Sequence, residues 1–318
     1  MLVEVEVSEL AQLAETKPFV VVGVPAFNEE KTIARVVLEA QKYADVVMVC
    51  DDGSSDLTGE IAERLGAEVI RHERNLGYGA AIRSLFRSAK EFSADVLVTL
   101  DADGQHDPQE IPRLLKPIVN GVADVVVGSR FVDELGTHEM PSYRRFGVKV
   151  ITRLVNGSAR NRITDAQSGF RAYNNRALER LNVFEDGMGV SVEILLEAGN
   201  HDLKICEVPS SCKYANADGV ETSTENPIKH GMGVVMSIIR LIVEERPLMV
   251  LGIPGTLCLA AGLLFGIWML QIYAVEHMII TNIALASIAF VLLGFFTIST
   301  AITLYAITRL SKKMNGKE

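Results

Sequence analysis

The chain has few cysteines and histidines and no excess of positive charge. Its four cysteines among 318 residues form no Cys-x-x-Cys pair and lie in apolar or strand-like runs. This distribution predicts reduced core thiols rather than disulfides. The six histidines show no paired metal-ligand spacing, and we assign them no chemistry. The formal net charge of −9 at pH 7 argues against a nucleic-acid-binding surface.

A secretory signal is also missing from the first residues, which show no charged segment followed by an apolar run and a small-residue cleavage site. Long apolar runs lie instead near the other end, because residues 248–273 and 279–307 carry no charge. Each run exceeds the roughly 20 residues that cross a bilayer core about 30 Å thick. The sequence therefore predicts a tight hairpin of two transmembrane helices, with a buried pair of soluble helices as the alternative.

Positive residues flank this hairpin, whereas the turn inside it has no lysine or arginine. They are Arg240 and Arg246 before it and Arg309, Lys312, Lys313 and Lys317 after it. The positive-inside rule then predicts a multi-pass protein of the cell membrane whose N-terminal part lies in the cytoplasm. We expect a soluble domain over 1–226, an amphipathic helix over 227–246 and a membrane anchor over 247–318. The amphipathic helix fits either the membrane interface or a core position under the sheet.

The soluble part alternates short apolar strands with helices. Strands are expected at 19–24, 46–50, 67–71, 96–100, 124–127 and 205–208, and helices at 30–43, 55–65, 78–92 and 111–119. This alternation indicates an α/β fold with a doubly wound parallel sheet. Ligands of such sheets bind beyond the carboxyl ends of the strands. Polar loops follow three of the expected strands, at 25–29, 51–54 and 101–103.

The third of these loops places two carboxylates one residue apart, at Asp101 and Asp103. Because the chain bends there, both can converge on one divalent cation, and oxygen ligands suit Mg²⁺ or Mn²⁺. The cation would carry the charge of a substrate diphosphate, which suggests chemistry on a nucleotide-activated group. The alternative is an acidic loop that caps the next helix, since Asp107 and Pro108 are typical of a helix start.

Six segments occur in an informative order. They read Val-Pro-Ala-Phe-Asn-Glu-Glu at 24–30, Cys-Asp-Asp-Gly-Ser-Ser-Asp at 50–56, Asn-Leu-Gly at 75–77, Asp-Ala-Asp-Gly-Gln-His at 101–106, Gly-Ser-Arg-Phe at 128–131 and Ser-Gly-Phe-Arg at 168–171. Together they resemble glycosyltransferase family 2, over about residues 19–208. The chain resembles the branch that makes polyprenyl-phosphate sugars, represented by dolichyl-phosphate mannose and glucose synthases. It lacks the Gln-x-x-Arg-Trp motif of processive polysaccharide synthases, and its only tryptophan, Trp268, lies in an apolar run.

This resemblance implies a GT-A-type fold, with a mostly parallel sheet covered by helices on both faces, and it implies roles for residues at the donor side. The positions that match donor-binding residues are Pro25, Phe27, Glu29, Asp51, Asp52, Ala102, Asp103 and Gln105. Asp101, Asp103 and Gln105 match the metal positions. Mg²⁺ usually takes only one or two protein carboxylates, so one aspartate either binds the ion through water or contacts the sugar. Asp51 and Asp52 also fit simple turn and capping duty.

On the acceptor side the resemblance implies phosphate binding by basic residues, because planar guanidinium groups hold phosphate by paired hydrogen bonds. The candidates are Arg130, Arg144, Arg145, Arg171 and Lys213, of which Arg130 and Arg171 join Asp101 and Asp103 as the expected catalytic residues. Arg160 and Arg162 fit phosphate binding and solvated loop charge equally. Lys213 is the weakest candidate, since the Gly-Glu-Ser-Lys-like segment of relatives is replaced by Thr-Ser-Thr-Glu-Asn-Pro at 222–227.

The expected activity is an inverting transfer of a hexose from a UDP- or GDP-linked sugar to dolichyl or another polyprenyl phosphate. The product would be a lipid-linked sugar donor made at the cytoplasmic face of the membrane. Inversion is implied by the resemblance alone, and the sequence does not separate the nucleotides or the sugars. Alternatives are a family 2 transferase with another lipid or glycan acceptor, a silent nucleotide-sugar binding module and a structural partner. A homo-oligomer is left open.

Overall fold

The structure, a computed structural model, describes residues 17–133, 140, 142–158, 162–212, 243 and 247–315. The described residues fall into two compact units, one up to Val235 and one from Met236. The first contains seven strands: β1 (Val20–Ala26), β2 (Val46–Asp51), β3 (Glu68–Arg71), β4 (Val96–Thr99), β5 (Val125–Ser129), β6 (Arg171–Asn174) and β7 (Ile205–Pro209). They form one sheet in the order β3-β2-β1-β4-β6-β5-β7.

Helices connect most of these strands. They are α1 (Ile33–Ala40), α2 (Thr58–Arg64), α3 (Tyr78–Glu91), α4 (Ile111–Val119), α5 (Ser142–Ser158), α6 (Asn175–Arg180) and α7 (Val190–Asn200), with a 3₁₀ turn at Pro108–Glu110. The expected strands and helices of the first half are confirmed, with ends that shift by a few residues. The helix expected from residue 30 begins at Ile33, since the chain first turns through Asn28 at φ 55°.

Alternation along the strands divides the core into two layers. Val20 and Val22 face a layer built with α1 and α4, whereas Val21 faces a layer built with α3 and α7. Successive strand side chains point to opposite faces, so both faces of a central strand must be apolar. This explains the continuous valine run of β1 and confirms the α/β sheet with helices on both faces.

The sheet is mostly parallel, but β6 runs antiparallel between β4 and β5. Its first residue, Arg171, pairs with Thr99 at the end of β4 and with Val127 in β5. The uniformly parallel sheet expected from alternation alone is therefore corrected at this strand. The reversal has a consequence for the site, because the residues just before β6 lie at the same edge as the carboxyl ends of β1, β2 and β4.

The second unit contains two long helices, α8 (Ile253–Glu276), which follows a π-helical turn at Leu248–Gly252, and α9 (Thr281–Asn315). The segments Leu248–Glu276 and Thr281–Leu310 are long and apolar enough to cross a membrane, with a mean hydropathy of 2.2 each. Side chains such as Leu264 and Leu270 are 67% and 68% exposed. A buried pair of soluble helices would hide them. The expected amphipathic helix over 227–246 lies outside the described residues, except for residue 243.

Candidate active site

The site lies where the strand order changes direction, because β1 connects towards β2 on one side and neighbours β4 on the other. Crevices at such points are the usual ligand sites of open α/β sheets. The loops after β1, β2 and β4 meet there, and the antiparallel β6 adds the segment 168–170. Thr99 Oγ1 donates a 2.7 Å hydrogen bond to the carbonyl oxygen of Gly169, which ties this segment to the end of β4.

The loop after β4 presents Asp101, Asp103 and Gln105, which are all half-buried, and the buried Ala102. Asp103 Oδ1 accepts a 2.9 Å hydrogen bond from the backbone N–H of Gln105, so the loop turns back on itself. The side-chain oxygen of Gln105 accepts a 3.5 Å contact from the thiol of Cys212. The Asp107 side chain accepts from Gln109 N at 3.0 Å, which makes Asp107 the cap expected at this helix start.

Asp101 is contacted on both sides by residues that the sequence did not single out. Tyr78 Oη donates a 2.8 Å hydrogen bond to Asp101 Oδ1, and His106 Nε2 lies 3.8 Å from Oδ2. Burial and the neighbouring Asp101 carboxylate raise the pKa of Tyr78 well above its ordinary value. Burial lowers the pKa of His106, and the negative charge of Asp101 opposes this effect. The contact of Tyr78 could not be inferred from spacing, because Tyr78 begins a helix 23 residues earlier.

The donor set of this loop fits a hard divalent cation, because Asp101, Asp103 and Gln105 can each offer a side-chain oxygen as ligand. In the described part of the chain no group of three or more His, Cys, Asp or Glu side chains could hold a metal ion. A cation at this loop would thus need further ligands from water or from a substrate. This is the usual situation for Mg²⁺ beside a diphosphate.

The loops after β1 and β2 carry the residues predicted for the nucleoside. Phe27 is exposed and Pro25 is buried within β1. Glu29 is half-buried, and burial, opposed by a hydrogen bond from Thr32, raises its pKa. Asp51 Oδ1 accepts a 2.9 Å hydrogen bond from the backbone N–H of Ser54. A Cβ on Gly59 would overlap Asp51 Oδ2, so the carboxylate would have to shift to make room for any side chain there.

Asp52 is almost fully buried, at 3% exposure, and its neighbour Asp51 is buried as well, at 7%. Its carboxylate accepts hydrogen bonds from the backbone N–H groups of Leu76 and Gly77, at 2.9 and 2.8 Å. His72 Nδ1 lies 2.6 Å from the same carboxylate. These contacts show that Asp52 holds the backbone just before α3. Its contact with a nucleoside stays a prediction.

The arginines expected at the acceptor phosphate are not equivalent in the structure. Arg130 is buried and pairs with the carboxylate of Asp165 through Nε at 2.6 Å and Nη2 at 2.8 Å. Arg145 is half-buried on α5. The helix backbone is described at Arg144 but its side chain is not, and Arg160 and Lys213 lie outside the described residues. Arg162 is exposed.

Arg171 departs most from the expectation, since it is 1% exposed. Its guanidinium donates to the carbonyl oxygens of Ser168, Ser191 and Ala166 at 2.8, 2.8 and 3.0 Å. Direct phosphate binding requires an accessible guanidinium, and this one is enclosed by backbone. The observed contacts instead make Arg171 the side chain that holds the segment before β6 against α7.

The acids at 185 and 186 end a loop that docks on α3. Asp186 accepts a 2.7 Å hydrogen bond from Gly79 N through its carbonyl oxygen and pairs with Arg83 through its carboxylate. Glu193 Oε1 and Oε2 accept from the backbone N–H groups of Phe184 and Glu185 at 3.0 Å each. The loop is thus fixed to α3 and α7 by charged side chains.

Comparison with known proteins decides the family. The family model described as glycosyl transferase family 2 matches residues 21–181, which include the three loops of the sheet edge and β6. The chain belongs to glycosyl transferase family 2. It is therefore a glycosyltransferase, and its fold and motifs agree with the resemblance seen in the sequence.

Three relatives of this family 2 glycosyltransferase match along most of their own length. An uncharacterised protein of Methanocaldococcus jannaschii is 34% identical over 75% of this chain and 96% of its own length. A UDP-N-acetylglucosamine–dolichyl-phosphate N-acetylglucosaminyltransferase of Methanococcus voltae is 35% identical over 60% of this chain and 84% of its own. A dolichyl-phosphate hexose transferase of Haloferax volcanii is 32% identical over 69% and 92%.

Among solved structures, the fold is similar to glucosyl-3-phosphoglycerate synthase of Mycobacterium tuberculosis in complex with phosphoglyceric acid. The TM-score is 0.54 at 22% identity, over 72% of this chain and 81% of that one. At this identity the likeness establishes the GT-A-like α/β fold.

Proposed function

We propose that this glycosyltransferase transfers a hexose from a nucleotide diphosphate sugar to a polyprenyl phosphate, with inversion at the sugar carbon. The observation that carries the proposal is the meeting of an oxygen-only aspartate loop with the nucleoside-side loops at one sheet edge of a family 2 fold. The dolichyl-phosphate transferases of M. voltae and H. volcanii among its relatives support the choice of acceptor.

At the donor, Asp101, Asp103 and Gln105 would hold Mg²⁺ or Mn²⁺. The bound ion would supply charge neutralisation for the diphosphate leaving group. Glu29 and Asp51 would contact the nucleoside by accepting hydrogen bonds, and the exposed Phe27 ring would pack against the base. Asp52 would act indirectly by fixing the loop before α3, because its carboxylate already accepts a hydrogen bond from the backbone of Gly77.

The acceptor phosphate would need no strong general base. A phosphate monoester has its second pKa near about 6, so at neutral pH it is mostly a dianionic nucleophile. It does need positive charge to approach the donor diphosphate, and Arg145 would supply it, because the charge of Arg130 is already balanced by Asp165. Arg171 would act by shaping the segment 168–170 that faces Asp101 and Tyr78.

The two apolar helices would anchor the enzyme beside its lipid acceptor. Positive flanks on both sides of the hairpin favour a catalytic domain on the cytoplasmic face. We also propose a domain organisation. Residues 1–226 would form the catalytic domain, 227–246 would form a helix at the membrane interface and 247–318 would form the membrane anchor.

The experiment is a donor panel with the full-length enzyme in lipid nanodiscs. Labelled UDP-glucose, UDP-N-acetylglucosamine and GDP-mannose are each offered with polyprenyl phosphate, and lipid-extractable label is counted. We expect one donor to give a lipid-linked sugar, and Asp101→Asn to abolish it. Nucleotide release without sugar on lipid would exclude the polyprenyl phosphate acceptor, and binding without any turnover would indicate a silent module. The anomeric configuration of the product, read by NMR, tests inversion.

A further inference from the structure

The carboxylate of Asp101 is contacted by two residues from other parts of the fold, Tyr78 and Gly169. Tyr78 Oη donates to Oδ1 at 2.8 Å. On the other side Gly169 leaves no room, because a Cβ there would lie 2.6 Å from Asp101 Oδ2 and 2.6 Å from Tyr78 Oη. The phenol, the carboxylate and the glycine backbone are thus in mutual contact, and a change in any one of them reaches the carboxylate.

Tyr78 can act as a fixed support because the backbone around it is itself fixed. Gly77 lies at φ 103°, and its N–H donates to Asp52 Oδ2 at 2.8 Å. Gly79, on the other side, donates to the carbonyl oxygen of Asp186 at 2.7 Å. The first turn of α3 is therefore tied at two points to other loops of the same edge. A hydroxyl on such a turn has a defined position before any ligand arrives.

A free aspartate on a loop samples several rotamers, and a metal ion must select one of them. A hydrogen bond from behind to one oxygen removes that freedom in advance. Such outer contacts to metal-binding side chains typically change metal affinity by about 10–100-fold when they are lost. Phenylalanine at position 78 would keep the ring and remove only this hydrogen bond.

We propose that Tyr78 is a positioning residue that fixes the Asp101 carboxylate and thereby sets the affinity of the site for a divalent cation. The inference rests on the proposed metal role of Asp101. Gly169 contributes to the same arrangement, because a side chain there would collide with the Tyr78 phenol and the Asp101 carboxylate.

The test measures Mn²⁺ binding itself, by electron paramagnetic resonance titration of the full-length protein in nanodiscs with Mn²⁺ and uridine or guanosine diphosphate. We expect Tyr78→Phe to bind Mn²⁺ about 10–100-fold more weakly than the unchanged protein. Tyr43→Phe is the matched control, because Tyr43 packs against the core layer of α1, away from this edge, and it should leave Mn²⁺ affinity unchanged.

A double-mutant cycle with Asp101→Asn separates positioning from a general structural effect. If Tyr78 acts through Asp101, Tyr78→Phe should add less than about twofold in the Asp101→Asn background. An equal loss in both backgrounds would overturn the inference, and so would unchanged Mn²⁺ affinity in Tyr78→Phe alone. Those outcomes leave the proposed metal site standing. If Asp101→Asn itself binds Mn²⁺ like the unchanged protein, the metal site and the inference both fail.

Discussion

His72 Nδ1 lies 2.6 Å from Asp52 Oδ1, in a pair that is almost fully enclosed. A carboxylate only accepts hydrogen bonds, so Nδ1 carries the proton, and the other ring nitrogen lies 2.9 Å from Oγ of Ser84. Asp52 in turn accepts from the backbone of Gly77, next to Tyr78. The imidazole therefore links Asp52, which follows β2, to Ser84 in the second turn of α3, and Asp52 itself holds the backbone beside Tyr78.

Replacing His72 with leucine should destabilise the protein, since it leaves Asp52 and the buried Ser84 hydroxyl each short of a partner. We expect the free energy of unfolding to fall by about 1–3 kcal/mol. Thermal unfolding of the full-length protein in detergent, followed by circular dichroism, measures the change. His201→Leu is the control, because its contact with Glu197 is at the surface and is worth little. Equal melting temperatures for His72→Leu and the unchanged protein would contradict the prediction.

The buried pair of Arg130 and Asp165 should make stability depend on acid. Burial opposes ionisation of Asp165, but the charge and hydrogen bonds of Arg130 prevail and hold the pKa of this carboxyl below 3.8. The folded-state pKa is depressed, so the contribution to stability is present above the unfolded value and is lost as pH falls through the lower folded value.

Asp165→Asn should therefore cost about 3–5 kcal/mol at pH 7, because it leaves the buried Arg130 guanidinium without its counter-charge. The difference in the free energy of unfolding between the variant and the unchanged protein should narrow as pH falls below about 4. In that range Asp165 of the unchanged protein becomes protonated and loses the same charge. Melting temperatures at a series of pH values measure this gap. Comparing the two proteins removes the opposite slope of Glu193, whose pKa is raised by burial. A gap that is constant from pH 7 to pH 3 would show that the pair is not the source.

Much of the fold could be predicted from the sequence because its signals are local. The valine run of β1 and the helical spacing of α4 each specify an element within about ten residues, and the structure has both. The antiparallel β6 could not be predicted in this way. Its four residues, Arg171–Asn174, have no distinctive alternation, and their direction is set by partners about 70 residues earlier in β4.

The site shows the same division. The position of Asp101 and Asp103 at the sheet edge could be predicted because they follow a strand directly, and such loops converge in a doubly wound sheet. Tyr78 could not, because its contact with Asp101 depends on how the first turn of α3 is tied down. The burial of the Arg171 guanidinium could not be predicted from the sequence for a related reason. Its three carbonyl partners include Ser191 of α7, 20 residues away, and nothing in a motif reports how many backbone oxygens surround a guanidinium.

The helices α8 and α9 pack through glycines, and this contact should tolerate no added methyl. A Cβ on Gly294 would lie 2.6 Å from Leu259 N and 2.7 Å from the carbonyl oxygen of Gly255. Both are backbone atoms that cannot move aside, so Gly294→Ala should separate the helices and lower the free energy of unfolding by about 1–3 kcal/mol. Gly252→Ala is the control, since its Cβ would meet only Leu248, at 4.0 Å. Thermal unfolding in detergent distinguishes them, and equal melting temperatures would contradict this packing.

The last prediction concerns how the acceptor is recognised. If the nucleophile is a phosphate dianion that needs positive charge and no strong base, unphosphorylated polyprenol should be inert with the unchanged enzyme. Arg145→Ala should then lower kcat/KM for polyprenyl phosphate by about 10-fold or more, which corresponds to a lost charge-assisted hydrogen bond of about 1.5–3 kcal/mol. Donor binding should change little, because Arg145 lies on α5 and not on the loops after β1, β2 or β4.

The measurement pairs steady-state kinetics in nanodiscs with calorimetric titration of the nucleoside diphosphate. Arg64→Ala is the matched control, because it removes an exposed arginine of α2 that pairs only weakly with Glu60 at the surface. Its kinetics should match those of the unchanged enzyme. A general base would be required for a hydroxyl acceptor, since an alcohol keeps its proton at neutral pH. Sugar transfer to free polyprenol at the rate seen with the lipid phosphate would therefore show that charge is not what selects the acceptor, and the arginine mechanism would fail with it.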